Sequence, residues 1–145
     1  MSLNMLKLCV GAESVEDLEE WIGGRLDEAR AHGRPVEQFH TTRMQPTRGE
    51  ELTAGGSLYW VIKGNVQCRQ RLLEIRPITG PDGISRCQLV LEPTVVRTEW
   101  QPRRPFQGWR YLKATDAPRD LADGEGGWQL LPPDLRLELA NLGLL

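Results

Sequence analysis

Apolar and polar residues change their spacing several times along the chain, and each spacing predicts a different element. Residues 5–10, MLKLCV, alternate between the two kinds and predict a first strand. From Ser14 to Gly33, apolar residues recur three and four positions apart, which predicts an amphipathic helix with an acidic outer face. Ser14 followed by Asp17 is an N-cap pattern, and Gly33 is a typical helix end. We therefore expect a strand and then a helix whose apolar stripe faces the core.

The central part of the chain predicts a series of strands. SLYWVIKG is apolar on both faces, as in a strand that is covered on both sides. In VQCRQRLLEIRPI, Val66 and Cys68 share one face, but Leu73 and Ile75 fall on the opposite parity, which predicts a β-bulge near Leu72. The turn TGPDG and the strand patterns SRCQLVLEP and TVVRTEW follow. Together they predict a meander of three or four strands.

Shorter segments complete the fold prediction. PVEQFHTTR favours a strand, PTRGEEL a short helix, and DGEGGW a loop. The tail PPDLRLELANLGLL fits a strand or a helix, and Pro132 and Pro133 ahead of Asp134 favour the helix. The predicted fold class is α+β, with the N-terminal helix packed on a curved, largely antiparallel sheet or small barrel.

The length of 145 residues is typical of one domain, so we expect a single domain over residues 1–145. The first four residues, MSLN, stand ahead of a second methionine, Met5, like a leader added for expression. No apolar run reaches the roughly 20 residues that span a bilayer, and no targeting segment is recognisable. We therefore expect no membrane partner and a cytoplasmic location.

Side chains that commonly bind metals are few. Cys9, Cys68 and Cys87 are widely spaced, no Cys-x-x-Cys pair occurs, and the chain has two histidines. We expect the cysteines to be small buried residues in a reducing compartment, and we predict neither a metal nor a cofactor. The signatures of a nucleophilic serine and of a phosphate-binding glycine loop are also missing. No catalytic residue can be assigned on this basis.

Charge is distributed unevenly along the chain. Residues 1–56 contain 6 Lys/Arg and 10 Asp/Glu, residues 57–113 contain 10 and 4, and residues 114–145 contain 2 and 6. The three net charges of -4, +6 and -4 sum to the overall -2. A basic middle between acidic ends indicates an anionic partner, since clustered cations concentrate phosphates or carboxylates. The alternative is that these cations only solvate the outer face of a sheet.

The densest group of cations and aromatic rings is PRRPFQGWRYLK, residues 102–113. Arginine can bind phosphate or carboxylate oxygens two at a time, and aromatic faces stack on bases. We expect Phe106 and Trp109 to form a buried lid on the sheet, whereas Tyr111 fits either a buried or a ligand-contacting role. The candidate ligand-binding residues are Arg69, Arg71, Arg103, Arg104, Arg110, Tyr111, Lys113 and His40.

At GGSLYWVIKG, CRQRLLEI, RCQLVLEP and RPFQGWRYLK the chain resembles a bacterial family, domain of unknown function 1489, found mainly in alphaproteobacteria. The resemblance extends from MLKLCVG through DAPRDL and implies no activity, because none is assigned to the family. At the level of topology, the expected helix and compact barrel are also similar to the PUA-like group, including ASCH and EVE domains, which bind RNA or modified bases. VIKGNVQCRQR lacks the glutamate of the Gly-x-Lys-x-x-Glu-x-Arg signature of ASCH domains.

The leading hypothesis is a binding module for nucleic acid, such as RNA, or for a nucleotide-like anion. A second hypothesis is a small enzyme that acts on an anionic metabolite, with His40 and a carboxylate as the acid/base pair. A lone histidine in a strand is more often a structural hydrogen-bonding residue, which weighs against that hypothesis. A third is a protein-interaction module that uses the acidic helix face or the leucine-rich tail.

Overall fold

The computed structural model describes residues 3–121 and 133–141. The described elements confirm the α+β prediction of a helix with a largely antiparallel sheet. In chain order they are Leu3–Leu8 (β1), Val15–Ala31 (α1), Gln38–Thr42 (β2), Gly49–Thr53 (α2), Ser57–Ile62 (β3), Asn65–Thr79 (β4), Ser85–Leu91 (β5), Val96–Pro102 (β6), Trp109–Lys113 (β7) and Pro133–Asn141 (α3), with a 3-10 turn at Ala114–Asp116.

The N-terminal helix α1 forms as its capping pattern predicts. The Ser14 hydroxyl accepts a hydrogen bond from the Asp17 N–H at 3.2 Å, which satisfies one of the free donors of the first turn. Val15, Leu18 and Ile22 are buried on the stripe that faces the sheet. The helix thereby covers the sheet with its apolar stripe and leaves its acidic face outside.

The strands form one seven-stranded sheet in the order β2-β5-β4-β3-β1-β7, with β6 paired to β4. Every pair is antiparallel except β1 and β3, which run parallel. β4 is the longest strand: its first half pairs with β3 and β6, and its second half pairs with β5. Within the described residues β2 and β7 are the ends of the strand order, so the sheet stays open and the small-barrel alternative is not observed.

Local irregularities bend β4. The register against β5 shifts between Leu72 and Glu74, which confirms the predicted bulge near Leu72. A second shift, against β6, lies between Val66 and Cys68. The prediction that Val66 and Cys68 share a face was wrong, because this shift places them in two different apolar clusters.

The sheet has a face covered by helices and an opposite face with a smaller apolar cluster. The helix-covered face packs Met5, Leu58 and Trp60 against α1 and against Leu52 of α2. The opposite face carries a cluster of Leu6, Tyr59, Val61, Val66 and Leu112. All six residues of β3 are buried, which confirms the strand that was expected to be covered on both sides.

The first strand and the last helix of the described chain can be compared with the predictions for MSLN and for the tail. Strand β1 begins at Leu3, two residues before Met5, and Leu3 is buried. The Asn4 side-chain oxygen accepts a hydrogen bond from the Ser57 N–H at 2.9 Å, so part of MSLN contributes to the sheet. The tail forms helix α3, as Pro132 and Pro133 indicated, whereas the predicted loop DGEGGW lies outside the described residues.

Candidate functional site

Carboxylates from the acidic ends of the chain neutralise much of its basic middle. Five of the ten Lys and Arg residues between positions 57 and 113 form ion pairs in the described structure. In four of those five the carboxylate comes from an acidic segment outside the basic middle. The pairs are Lys63 with Glu13, Arg69 with Asp120, Arg76 with Glu37, Arg86 with Asp82, and Arg97 with Glu16 and Glu19.

Arg69 makes three side-chain hydrogen bonds within the protein. Its guanidinium donates to both carboxylate oxygens of Asp120, at 2.8 and 2.7 Å, and to the Ser57 hydroxyl at 2.9 Å. The hydrogen-bonded Asp120 carboxylate raises the pKa of Arg69. These contacts hold the 119–121 segment beside β6, so the structure assigns Arg69 a clear structural role.

The segment from residue 102 to 113 packs on both faces of the sheet. Trp109 is buried in the helix-covered core, and its indole N–H donates to the Met44 carbonyl at 2.7 Å. Phe106 instead packs against the cluster on the opposite face. Arg110 lies over the Phe106 ring, 5.2 Å from its centroid, and donates to the Gln107 and Trp109 carbonyls. Trp109 and Phe106 therefore hold this segment from opposite faces of the sheet.

The remaining candidates of the basic middle differ in their contacts. Arg103 donates twice to the Gln101 side-chain oxygen, at 3.1 and 2.7 Å. The Tyr111 hydroxyl accepts from the Thr47 and Arg48 N–H groups, at 3.1 and 3.2 Å, and its ring is stacked edge-on against Trp109. Within residues 3–121 and 133–141, three exposed candidates form no side-chain hydrogen bond or ion pair: Arg71, Arg104 and Lys113.

The register shows how far the candidates are from one another. Arg69 pairs with Tyr59, Tyr59 with Leu6, and Leu6 with Arg110 across β4, β3, β1 and β7. Three strand spacings separate Arg69 from Arg110, which is roughly 14 Å. Arg69 and Arg110 therefore share the opposite face without meeting. His40 lies on the helix-covered face, where its ring is 5.4 Å from the Trp60 ring.

His40 belongs to a different site, a cleft between α1 and strands β1, β2 and β3. Its inner part is a cavity of about 250 Å³, and a neighbouring cavity of about 700 Å³ shares Arg25, Gln38 and His40 with it. We call the two together the cleft. The inner cavity is lined by polar or aromatic side chains from all four elements, among them Lys7, Trp21, Arg25, Gln38, His40 and Trp60.

Two cationic side chains line the inner cavity, and no described carboxylate lines it with them. No Asp or Glu is among its described lining residues, and neither Lys7 nor Arg25 has an ion-pair partner in the described chain. Arg25 instead lies over the Trp21 ring, 5.9 Å from the centroid. Burial lowers the pKa of Lys7. The inner cavity is therefore lined by two cations that form no ion pair with any described carboxylate.

His40 responds to this charge. Burial, together with the smaller effect of the neighbouring Lys7 and Arg25 cations, lowers its pKa to about 4. The imidazole is consequently neutral at pH 7, with one nitrogen that donates and one that accepts a hydrogen bond. A neutral His40 can donate or accept a hydrogen bond to a ligand without adding charge to the cleft, and it becomes a cation only if it accepts a proton.

Apolar side chains surround the cleft as well. Val10 is 82% exposed and Trp21 is 47% exposed, and both line the inner cavity. Phe39 is 38% exposed and lines the larger one. Exposed apolar groups beside unpaired cations are typical of a site for a ligand with both a charged and a flat apolar part.

Of these cleft residues, only His40 was among the sequence-based candidates. The sequence pattern nevertheless contains a signal that identifies Lys7 and Arg25. Lys7 has the strand parity of Met5 and Cys9, which face the core, and Arg25 lies on the helix side of Trp21 and Ile22. A cation at a core-facing position of an otherwise apolar pattern therefore indicates an anion site.

The cysteines are as expected, free and buried at Cys9, Cys68 and Cys87. Burial raises the pKa of the Cys9 thiol, which lines the inner cavity, to about 11, so it is protonated at neutral pH. The described residues include no group of three or more His, Cys, Asp or Glu side chains arranged to hold a metal ion. Among the helices described, none is both long and apolar enough to cross a membrane.

Comparisons with known proteins give one informative match. A family model described as "Protein of unknown function (DUF1489)" matches residues 5–145. No curated protein and no solved structure matches the chain. The similarity to PUA-like domains therefore stays an analogy of topology.

Proposed function

Because the chain belongs to the family described as Protein of unknown function (DUF1489), which assigns no activity, we propose a function from the cleft: it binds a small nucleotide-like anion. One observation carries this proposal. Lys7 and Arg25 line a cavity that has no described carboxylate, so two positive charges there lack a protein partner. Lys7 is half-buried, and a half-buried cation without a counter-ion is costly, so an anionic ligand would offset that cost, while the exposed Arg25 is available for a second contact.

The rest of the cleft suits a ligand with a flat ring. Trp21 is half exposed beside Arg25, so one face of a planar group could stack on the indole while its charged group contacts the guanidinium. Small-molecule sites typically occupy about 300–1,000 Å³ and combine apolar walls with a few polar groups. The larger cavity, of about 700 Å³, falls in this range, and the inner cavity, of about 250 Å³, is slightly smaller.

A mononucleotide fits these features better than a long nucleic acid. An extended strand needs a row of available cations along its backbone. On the opposite face, however, Arg69 is bound by Asp120 and Arg110 by backbone carbonyls. The exposed Arg71, Arg104 and Lys113 are the candidates left for phosphate contacts. Binding of RNA through them is the alternative that the experiment below must distinguish.

Calorimetric titration of a nucleoside monophosphate, such as inosine monophosphate, tests the proposal at pH 7.5 and low salt. Lys7→Met and Arg25→Met should each lower the affinity about tenfold or more, because each removes a charge-assisted contact. Arg71→Met removes the same charge from the opposite face and should leave the affinity within about twofold of wild type. A single-stranded RNA oligonucleotide is titrated in parallel. Loss of RNA binding in Arg71→Met, with no nucleotide binding by wild type, would favour the alternative.

The enzyme hypothesis keeps one supporting observation, since the neutral His40 imidazole lines both cavities and could accept a proton there. The carboxylates in the larger cavity are already engaged, Glu28 with Arg34 and Glu37 with Arg76. A screen for turnover of anionic metabolites by wild type and His40→Gln tests this second candidate. Turnover that disappears in His40→Gln while nucleotide binding persists would support it.

A further inference from the structure

A chain of buried hydrogen bonds leads from the core to the cleft. The Trp60 indole N–H donates to the Gln70 side-chain oxygen at 2.9 Å. The Gln70 amide nitrogen donates to the Gln38 side-chain oxygen at 2.8 Å and to the Glu92 carbonyl at 2.9 Å. Gln70 is fully buried, and Trp60 and Gln38 are 3% and 5% exposed. The three side chains thus form a continuous relay from β3 through β4 to β2.

The direction of this relay is determined by chemistry at both ends. An indole N–H can only donate, so the atom of Gln70 that it meets must be the carbonyl oxygen. A backbone carbonyl can only accept, so the other end of the Gln70 amide must be its NH₂ group. That NH₂ group then requires an acceptor on Gln38. A flipped Gln70 amide would lose the contacts with Trp60 and Glu92, and a flipped Gln38 amide would place two NH₂ groups against each other.

As a consequence, Gln38 is left with an NH₂ group that has no partner. In the described chain this group makes no hydrogen bond, and Gln38 lines both cavities of the cleft where they adjoin. The NH₂ group is not among the buried polar atoms that lack a partner in the described chain, so it is open to the space of the cleft and available to an acceptor on a ligand. Lys7 and Arg25 also only donate, so this donor adds to a site that selects for acceptor groups.

We propose that Gln38 is the specificity-determining residue of the cleft, donating from its NH₂ group to an uncharged carbonyl oxygen on the anionic ligand. This proposal rests on the proposed function and deepens it. It assigns the ligand to the class of nucleotides whose base carries an oxo group where the competing base carries an amino group. An amino group at that position would bring two donors together and leave both unsatisfied.

Inosine and adenosine monophosphate are a matched pair of probes, because they differ by an oxo or an amino group at one ring position. Wild type should bind the inosine nucleotide about tenfold more tightly or better, since a mismatched donor costs at least one hydrogen bond. Gln38→Glu keeps the acceptor for Gln70 but turns the cleft-facing donor into an acceptor. The preference should then reverse in favour of the adenosine nucleotide.

Two further variants keep the test interpretable. Gln38→Met removes the donor without adding charge and should bring the two affinities within about threefold of each other. Gln88→Glu adds the same negative charge on neighbouring β5, outside the described lining of the cleft, and should keep the wild-type preference. Because the measured quantity is the ratio of two affinities, a general loss of anion binding in Gln38→Glu cancels.

The possible results separate this proposal from the one on which it rests. Equal affinities in wild type, with binding that still depends on Arg25, would overturn the role of Gln38 and keep the cleft as an anion site. Binding of neither nucleotide would overturn both. A preference that Gln38→Glu and Gln38→Met leave unchanged, with thermal unfolding showing that both variants fold, would also overturn the role of Gln38.

Discussion

Two basic regions of the molecule differ in what surrounds their cations. Between residues 57 and 113, five of ten cations bind carboxylates, and Arg103 and Arg110 bind side-chain or backbone oxygens. The inner cavity of the cleft has two cations, Lys7 and Arg25, and neither has a carboxylate partner in the described chain. The region with more charge is therefore the better neutralised one. A binding site is indicated by charged side chains that have no ion-pair partner. The net charge of a sequence segment does not show which of its side chains are paired.

The aromatic residues show the same contrast. Trp109 is 5% exposed and its N–H is bonded to the Met44 carbonyl, so it is part of the core. Trp21 is 47% exposed and lines the inner cavity beside Arg25. Substitution at the two tryptophans should consequently affect different properties of the protein.

The largest expected effect is on stability at Trp109. Trp109→Ala should lower the free energy of unfolding by about 3–5 kcal/mol, because it leaves a cavity and leaves the Met44 carbonyl with only the weak Cys87 thiol donor. Trp21→Ala should cost less than about 1 kcal/mol and weaken nucleotide binding instead. Urea unfolding and calorimetric titration of both variants check this. Equal destabilisation by the two substitutions would remove the distinction between core and cleft tryptophans.

The next effect is a dependence of stability on pH through His40. Its pKa is about 4 in the folded protein, below the unfolded value of about 6.5. The unfolded chain therefore binds a proton first as pH falls, and stability decreases between pH 6.5 and 4. Replacing His40 by Gln should reduce the loss between pH 7.5 and 4.5 by roughly 2 kcal/mol, an amount discounted for the partial exposure of the ring.

Urea unfolding of wild type and His40→Gln at pH 7.5, 5.5 and 4.5 measures this term, because carboxylates that titrate in the same range are common to both proteins. If the free energies of unfolding of wild type and His40→Gln fall in parallel as pH is lowered, His40 is not buried among cations.

A smaller effect is expected at the ion pair on the opposite face. The Arg69 and Asp120 side chains are 24% and 44% exposed, so solvent weakens their attraction. Arg69→Met and Asp120→Asn should each cost about 1 kcal/mol, and the double variant should cost less than their sum. Nucleotide affinity should not change in any of the three. Strict additivity of the two costs would indicate that the pair contributes nothing to stability.

The smallest effect is expected at the exposed cations. Arg71→Ala with Arg104→Ala should change the free energy of unfolding by less than about 0.5 kcal/mol, since neither side chain has a partner in the described structure. The salt dependence of nucleotide binding should also match that of wild type. If the protein instead binds RNA there, the slope of log affinity against log salt should fall by about 0.7 for each lost phosphate contact.

How far the sequence predicts this molecule depends on the range of the interactions involved. The N-cap at Ser14, the turn at TGPDG and the bulge near Leu72 follow from neighbouring residues, and all three are observed. The turn, for example, is closed by the Gly80 N–H bonding to the Ile84 carbonyl at 3.1 Å. Local patterns of this kind are sufficient to predict most of the secondary structure.

The candidate site depends on distant pairs, which local patterns do not contain. Arg69 and Asp120 are 51 positions apart, and Arg97 and Glu16 are 81 apart. A basic segment looks available until the carboxylates that bind it are located in space. Likewise, Gln38 and Gln70 are 32 positions apart, so the relay that orients the Gln38 amide has no sequence signature.

The central claim is that the cleft, and not the basic segment, binds the ligand. A titration of the ¹⁵N-labelled protein with inosine monophosphate tests it in one set of spectra. We expect the largest chemical-shift changes at the Trp21 indole N–H and the Gln38 side-chain NH₂, and no change at the Trp109 indole N–H. Shifts centred on the backbone of Arg71, Arg104 and Arg110, with Trp21 and Gln38 unaffected, would contradict it.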